Sequence, residues 1–140
     1  AAPPPVAPAL LRSAPAPAPP FPPADGPLGA LDAAVARDPL DVGAWLQRSI
    51  ARLDLCDPHG AAEDAGRALL LDRRAPYAHV VAAMAALGAG DRAATRRHAR
   101  NAEALLRGAP DEAPVPHAAG ETASALRWLC AHLGDAKGAA

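Results

Sequence analysis

Residues 42–75 and 76–109 align without a gap at an offset of 34 residues, and this internal repeat constrains the fold more than any other feature of the sequence. Nine positions are identical in the two copies: Ala44/Ala78, Ala51/Ala85, Leu53/Leu87, Asp57/Asp91, Ala65/Ala99, Ala68/Ala102, Leu71/Leu105, Arg73/Arg107 and Ala75/Ala109. Several of these matches are alanines in an alanine-rich chain, so the shared helix start at Asp57 and Asp91 is the stronger signal. Each copy therefore predicts the same supersecondary unit of two helices.

Composition favours helices throughout the repeated region. The chain has 40 alanines, and its aromatic residues are limited to Phe21, Trp45, Tyr77 and Trp128. Alanine has the highest helix propensity of the residues, whereas the aromatic residues that favour strands are scarce. We therefore expect an all-α fold whose core is made of closely packed alanine and leucine.

Charge, hydropathy and cysteine content exclude several classes of protein. The formal net charge of −1 gives no attraction to nucleic acid or anionic lipid. No apolar run approaches the roughly 20 residues that a membrane-spanning helix needs, and prolines interrupt the segment where a signal peptide would lie. Cys56 and Cys130 form neither a disulfide framework nor a zinc-binding pattern. We expect a cytoplasmic protein with reduced cysteines and without membrane insertion or nucleic-acid binding.

The first 27 residues form a segment of distinct composition, with 11 of the 17 prolines of the chain. Proline lacks an N–H group and fixes φ, so this segment cannot form a helix or a central strand. We expect residues 1–27 to be a Pro/Ala-rich linker, disordered or in polyproline II conformation. An SH3-type ligand is a weaker alternative, because Arg12 is the only basic residue of the segment.

From residue 28 onward, amphipathic segments separated by breaker residues predict short helices. Asp41, Asp57 and Asp91 are placed as N-caps, and Pro58 and Pro76 stand at first helical positions. The predicted helices span residues 28–37, 42–55, 58–71, 76–88, 92–107 and 121–133. The domain 28–140 therefore divides into a half-repeat helix at 28–41, repeats at 42–75 and 76–109, a spacer at 110–120 and a final helix at 121–133.

The repeat resembles the tetratricopeptide repeat, a 34-residue unit of two helices. Trp45 stands where that family favours a bulky aromatic residue, and Ser49 and Ala83 stand at the small position where the two helices of a unit approach. The sequence departs from the family at Arg73 and Arg107, which replace the closing proline of each unit. The resemblance implies an α–α superhelix of about six short antiparallel helices.

In tetratricopeptide proteins the first helices of the units line a concave groove that binds a protein or peptide. The resemblance places nine residues in this groove: Leu46, Gln47, Ile50, Leu53, Tyr77, Val80, Val81, Met84 and Leu87. Periodicity alone cannot distinguish groove residues from ordinary core residues between adjacent helices, so both alternatives stay open. A clamp for a C-terminal carboxylate is disfavoured, because none of the nine residues is cationic.

The fifth predicted helix carries a basic cluster made of Arg92, Arg96, Arg97 and Arg100. Such a charge run is typical of a solvated outer helix face. The alternative is a patch for an acidic protein partner. Nucleic acid is disfavoured as a ligand, because no aromatic residue is interleaved to stack on bases.

The sequence offers no candidate catalytic, cofactor-binding or metal-binding residue. Ser13, Ser49 and Ser124 lie outside known nucleophile motifs, and no glycine-rich phosphate loop is present. The histidines are scattered without the spacing of metal ligands, and His98 and His132 are expected at the surface. We therefore expect neither enzymatic activity nor a cofactor in this chain.

The stretch from residue 100 to 126 resembles the tail of tetratricopeptide regions fused behind CheR-type chemotaxis methyltransferases. Here it consists of Arg100-Asn101-Ala102-Glu103-Ala104-Leu105-Leu106, then Pro110-Asp111-Glu112, Val115-Pro116, Gly120-Glu121-Thr122-Ala123 and Leu126. The match covers roughly residues 76–130 and departs at Glu121 and Ala125, where that family often has Leu and Arg. Residues 1–27 also resemble the linker that precedes the repeats in such proteins.

This second resemblance implies the regulatory, protein-binding end of an enzyme that methylates receptor glutamates with S-adenosylmethionine. The expected partner is then a chemoreceptor, the methyltransferase domain or another signalling protein. None of that enzyme's catalytic or cofactor-binding residues has a counterpart in this sequence. The alternative is a free-standing tetratricopeptide adaptor in bacterial secretion, motility or assembly machinery, and an unrecognised enzyme is the least favoured reading.

Overall fold

A computed structural model describes residues 26–135, which fold into six α-helices. They are α1 (Gly29–Arg37), α2 (Val42–Asp54), α3 (Pro58–Leu71), α4 (Pro76–Gly88), α5 (Arg92–Leu106) and α6 (Ala123–Gly134). The predicted all-α superhelix of about six short helices is confirmed. Apart from its last two residues, the predicted linker 1–27 lies outside the described residues. Within these residues, no helix is both long and apolar enough to cross a membrane.

Aspartate side chains set the starts of three helices, as predicted. Asp57 Oδ1 accepts a hydrogen bond from the Gly60 N–H at 2.9 Å, and Asp91 Oδ1 accepts one from the Ala94 N–H at 3.0 Å. Asp41 caps α2 in the same way. Each cap of this kind stabilises a helix by about 1 kcal/mol, because it satisfies a backbone donor that has no partner within the helix.

Each helix packs against the next one along the chain. In addition, α2, α4 and α6 contact one another in turn, whereas the backbones of α3 and α5 stay apart within the described part of the chain. Helix α4 is therefore central, because it touches α2, α3, α5 and α6. This arrangement leaves a gap between α3 and α5 with α4 beneath it.

Small side chains make this close packing possible. Eight alanines of the described residues have no exposed surface: Ala61, Ala65, Ala68, Ala78, Ala83, Ala85, Ala102 and Ala123. One core cluster joins α4, α5 and α6 and includes Val80 and Leu126. A second cluster joins α2, α3 and α4 and includes Leu46 and Val81. Larger residues at the alanine positions would force the helices apart.

The connection between α5 and α6 is held by Arg127. The Nη1 group of Arg127 donates hydrogen bonds to the carbonyl oxygens of Leu106 at 2.9 Å and Ala109 at 3.0 Å. Its Nη2 group pairs with the Asp111 carboxylate. Val115, which lies within this connection, is buried in the core cluster of α4, α5 and α6. The predicted spacer is therefore an ordered part of the core between α5 and α6.

The last helix begins at Ala123, two residues later than the predicted start at residue 121. Thr122 forms an isolated β-bridge with Pro114, and its Oγ1 accepts a hydrogen bond from the Ala125 N–H at 3.3 Å. Thr122 is therefore the N-cap, a position whose backbone is not helical. The prediction from helical periodicity did not detect this cap, and it therefore placed the start of the helix two residues too early.

Candidate protein-binding surfaces

The four predicted groove residues of α2 differ in exposure. Leu46 is only 1% exposed and belongs to the core shared by α2, α3 and α4. Its predicted place in a groove is wrong, because a fully packed side chain cannot contact a partner. Gln47 is exposed, and Ile50 and Leu53 are half-buried, so these three side chains are accessible.

Two of the five predicted groove residues of α4 are also core residues. Val80 and Val81 are 0% exposed, because Val80 packs into the cluster with α5 and α6 while Val81 packs into the cluster with α2 and α3. Their predicted groove positions are corrected to core positions. Tyr77 and Met84 are half-buried between the two clusters, and Leu87 is 41% exposed near the end of the helix.

Tyr77 and Met84 line one wall of a cavity between α4 and α6, called here the α4–α6 cavity. Ala125, Trp128 and Leu129 of α6 line the opposite wall. The volume of the cavity is about 410 Å³. Most of its lining side chains are apolar, so water inside it is poorly hydrogen-bonded and an apolar group would displace it favourably.

Tyr77 contributes a neutral hydroxyl group to the α4–α6 cavity. Burial, and then the charge of the nearby Glu121 carboxylate, raise the pKa of Tyr77 above its ordinary value. The phenol therefore stays protonated at neutral pH and can donate a hydrogen bond. This gives the mostly apolar cavity a donor for a partner carbonyl group.

Trp128 is absent from the predicted groove, yet it is 62% exposed at the α4–α6 cavity. Its ring stacks on the His132 ring with centroids 3.8 Å apart, and His132 Nδ1 lies 2.9 Å from the Trp128 carbonyl oxygen. These contacts orient an exposed indole. The sequence contained one signal for it, because Trp128 falls outside the helical stripe of Leu126, Leu129 and Leu133 that faces the core.

The four arginines of the predicted basic cluster are all exposed. Arg92 and Arg96 lie on the flank of α5 that faces the C-terminal end of α6. Arg97 lies on the other flank, which faces α3. Within residues 26–135, no carboxylate is within salt-bridge distance of Arg96, Arg97 or Arg100. Arg100 follows Arg96 by four residues and Arg97 by three, so it adjoins both on the helix surface. The patch for an acidic partner stays a prediction.

The two cysteines and His98 differ in accessibility. Cys130 is buried, and burial raises the pKa of its thiol to about 11, so the thiol is protonated and poorly nucleophilic at neutral pH. Cys56 is exposed. His98 is half-buried instead of lying at the surface as predicted. In the described part of the chain, no three His, Cys, Asp or Glu side chains are arranged to hold a metal ion.

Comparison with known proteins assigns no family to this chain. No protein-family model matches it, and a search of curated proteins finds no significant match. The exposed groups of α4 and α6 are therefore the main guide to function, together with the sequence patterns described above.

Proposed function

We propose that this chain is a protein–protein interaction module that binds its partner at the α4–α6 cavity. The observation that carries this proposal is the exposed, oriented indole of Trp128 beside an apolar cavity. Tryptophan is among the residue types that are enriched at binding hot spots. Burial of the exposed part of one tryptophan would stabilise a complex by about 2–4 kcal/mol before the costs of association.

The module is proposed to be the regulatory tetratricopeptide region of a CheR-type chemosensory methyltransferase, acting in the cytoplasm on a chemoreceptor, the methyltransferase domain or another signalling protein. The residues between 100 and 126 support this through their resemblance to that family. Asp111 of the Pro-Asp motif pairs with Arg127, which gives the motif a packing role. Glu121 and Ala125, where the sequence departs from that family, both line the α4–α6 cavity. These two differences support a partner preference for this chain that differs from that of the family.

The proposal is tested by isothermal titration calorimetry. The affinity of the 140-residue chain is measured for a purified chemoreceptor signalling domain and for a CheR-type catalytic domain. Trp128→Ser removes the exposed indole, and Leu40→Ser is the matched control, because Leu40 is 74% exposed in the loop before α2. We expect Trp128→Ser to weaken binding to one of these proteins at least tenfold, whereas Leu40→Ser leaves the affinity unchanged.

Equal binding by Trp128→Ser and the unmodified chain would place the interface elsewhere. No binding to either chemosensory protein would contradict the methyltransferase assignment. A pull-down that recovers secretion, motility or assembly proteins with the unmodified chain, but not with Trp128→Ser, would support the free-standing adaptor. That result would leave the α4–α6 cavity as the binding site.

A further inference from the structure

A second groove lies on the opposite side of α4 from Tyr77 and Met84. Two adjoining cavities form it, with volumes of about 830 and 450 Å³, and both are lined by Gly66, Leu69 and His98. Helices α3 and α5 are its walls, and α4 is its floor. It is called here the α3–α5 groove, and neither the proposed function nor the α4–α6 cavity depends on it.

Each wall of the α3–α5 groove is a stripe of side chains along one helix. On α3 the stripe follows helical spacing and consists of His59, Ala62, Gly66, Leu69, Leu70 and Arg73, the last just beyond the helix end. Leu70 is 74% exposed there. A stripe of this span is about 20 Å long at 1.5 Å per residue, which matches about four turns of a helix. A helix laid between α3 and α5 would cover both stripes at once.

The charges along the α3–α5 groove are not balanced. Arg73 and Arg97 line the wider cavity, which is lined by no Asp or Glu. Arg97 has no carboxylate within salt-bridge distance in the described residues. Asp91 lines only the narrower cavity, where its Oδ1 is occupied in capping α5. A ligand with carboxylates near the Arg73 end would complement this distribution.

Gly66 leaves room in this groove for the close approach of another backbone. It lies in the middle of α3, where glycine is less favourable than alanine by about 1 kcal/mol. A Cβ atom added at Gly66 would meet no atom within 4 Å, so packing inside the chain does not require glycine. Glycine in such a place permits close approach from outside, as it does where a backbone approaches a ligand.

We propose that the α3–α5 groove binds an acidic amphipathic helix of a protein partner. The apolar face of that helix would cover Leu69, Leu70 and Leu105, and its backbone would cross α3 at Gly66. Its carboxylates would lie against Arg73 and Arg97. The chain would then have two binding surfaces on opposite sides of α4.

The probe is a fluorescein-labelled amphipathic peptide of about 16 residues with leucines at i, i+3 and i+7 spacing and glutamates flanking them. A second peptide has the same leucines and lysine in place of each glutamate. Binding to the 140-residue chain is measured by fluorescence anisotropy. We expect the glutamate peptide to bind at least tenfold more tightly than the lysine peptide. Arg73→Glu/Arg97→Glu should remove this preference, whereas Arg67→Glu, an exposed change on α3 outside the groove, should not.

The variant Gly66→Ala distinguishes an effect on peptide binding from an effect on stability. We expect it to raise Tm by about 2–6 °C, because alanine favours the helix and has open space. The same variant should weaken binding of the glutamate peptide, and Gly66→Leu should weaken it at least tenfold. Circular dichroism checks that every variant is folded.

Several outcomes would overturn this proposal. Equal affinity for the two peptides would exclude charge recognition, and unchanged binding by Gly66→Leu would exclude the groove. Loss of binding in Trp128→Ser would place the peptide at the α4–α6 cavity. A dimer of the unmodified chain that Gly66→Leu dissociates would show that a second copy occupies the groove.

Discussion

Arg48 of α2 holds Asp64 of α3 through two hydrogen bonds, from Nε to Oδ2 at 3.0 Å and from Nη2 to Oδ1 at 2.9 Å. Asp64 is 2% exposed, so its carboxylate depends on this partner. Arg48 Nη1 also reaches Asp32 of α1 at 3.1 Å. Hydrogen bonding to Asp64 is the main cause that raises the pKa of Arg48. One guanidinium group thus ties three helices together.

Arg48→Met is expected to lower the free energy of unfolding by about 2–4 kcal/mol, because it leaves Asp64 buried beside Arg52 alone. Arg52 Nη1 lies 3.5 Å from Asp64 Oδ2 and compensates in part. Urea denaturation measures the change, with the exposed Arg100→Met as control. A loss equal to that of the control would show that the buried pair adds nothing to stability.

Val80→Asp is expected to abolish cooperative folding or to lower the free energy of unfolding by more than about 4 kcal/mol, because it buries an unpaired carboxylate. Met84→Asp is expected to cost only about 1–2 kcal/mol, because its half-buried side chain can direct the charge to solvent. Thermal unfolding followed by circular dichroism compares the two variants. Similar melting temperatures would contradict the placement of Val80 in the core and Met84 at its edge.

His98 is expected to make stability depend on pH. Burial, and then the charges of His79 and Arg97, lower its pKa from the usual 6.5, against a smaller opposing effect of Asp91. The folded state then binds the proton less tightly than the unfolded chain, so stability is full above the unfolded pKa and decreases as the pH falls below 6.5. The drop in Tm from about pH 7.5 to about pH 5.5 should therefore be smaller in His98→Gln than in the unmodified chain. An identical drop in Tm in the two proteins would contradict a contribution of His98 to the pH dependence of stability.

The two thiols are expected to differ in reactivity. Cys56 is exposed, whereas Cys130 has 0% exposure and a pKa raised to about 11. Ellman's reagent should therefore modify about one thiol per folded chain and two after unfolding in urea. Cys56→Ser, which should leave the folded chain unreactive, identifies the modified residue. Rapid modification of two thiols in the folded chain would show that α6 opens readily.

The sequence by itself determined where most of the helices begin, because the groups responsible are local. Asp57 and Asp91 cap helices through backbone groups three residues away, and Pro58 and Pro76 favour the first turns that follow. Such interactions join residues within one helical turn of each other, so they can be recognised in the sequence. Composition and periodicity also predicted correctly that the described residues, 26–135, fold into α-helices.

Only the tertiary structure decided which residues of those helices are accessible. Helix α4 is apolar on nearly every side and touches four neighbours, so periodicity could not separate the buried Val80 and Val81 from the accessible Tyr77 and Met84. The exposed Trp128 completes a cavity with residues more than 40 positions away. Gly66 faces a gap that exists because the backbones of α3 and α5 stay apart. Burial depends on which helices meet in space, and no local interaction along the chain encodes that.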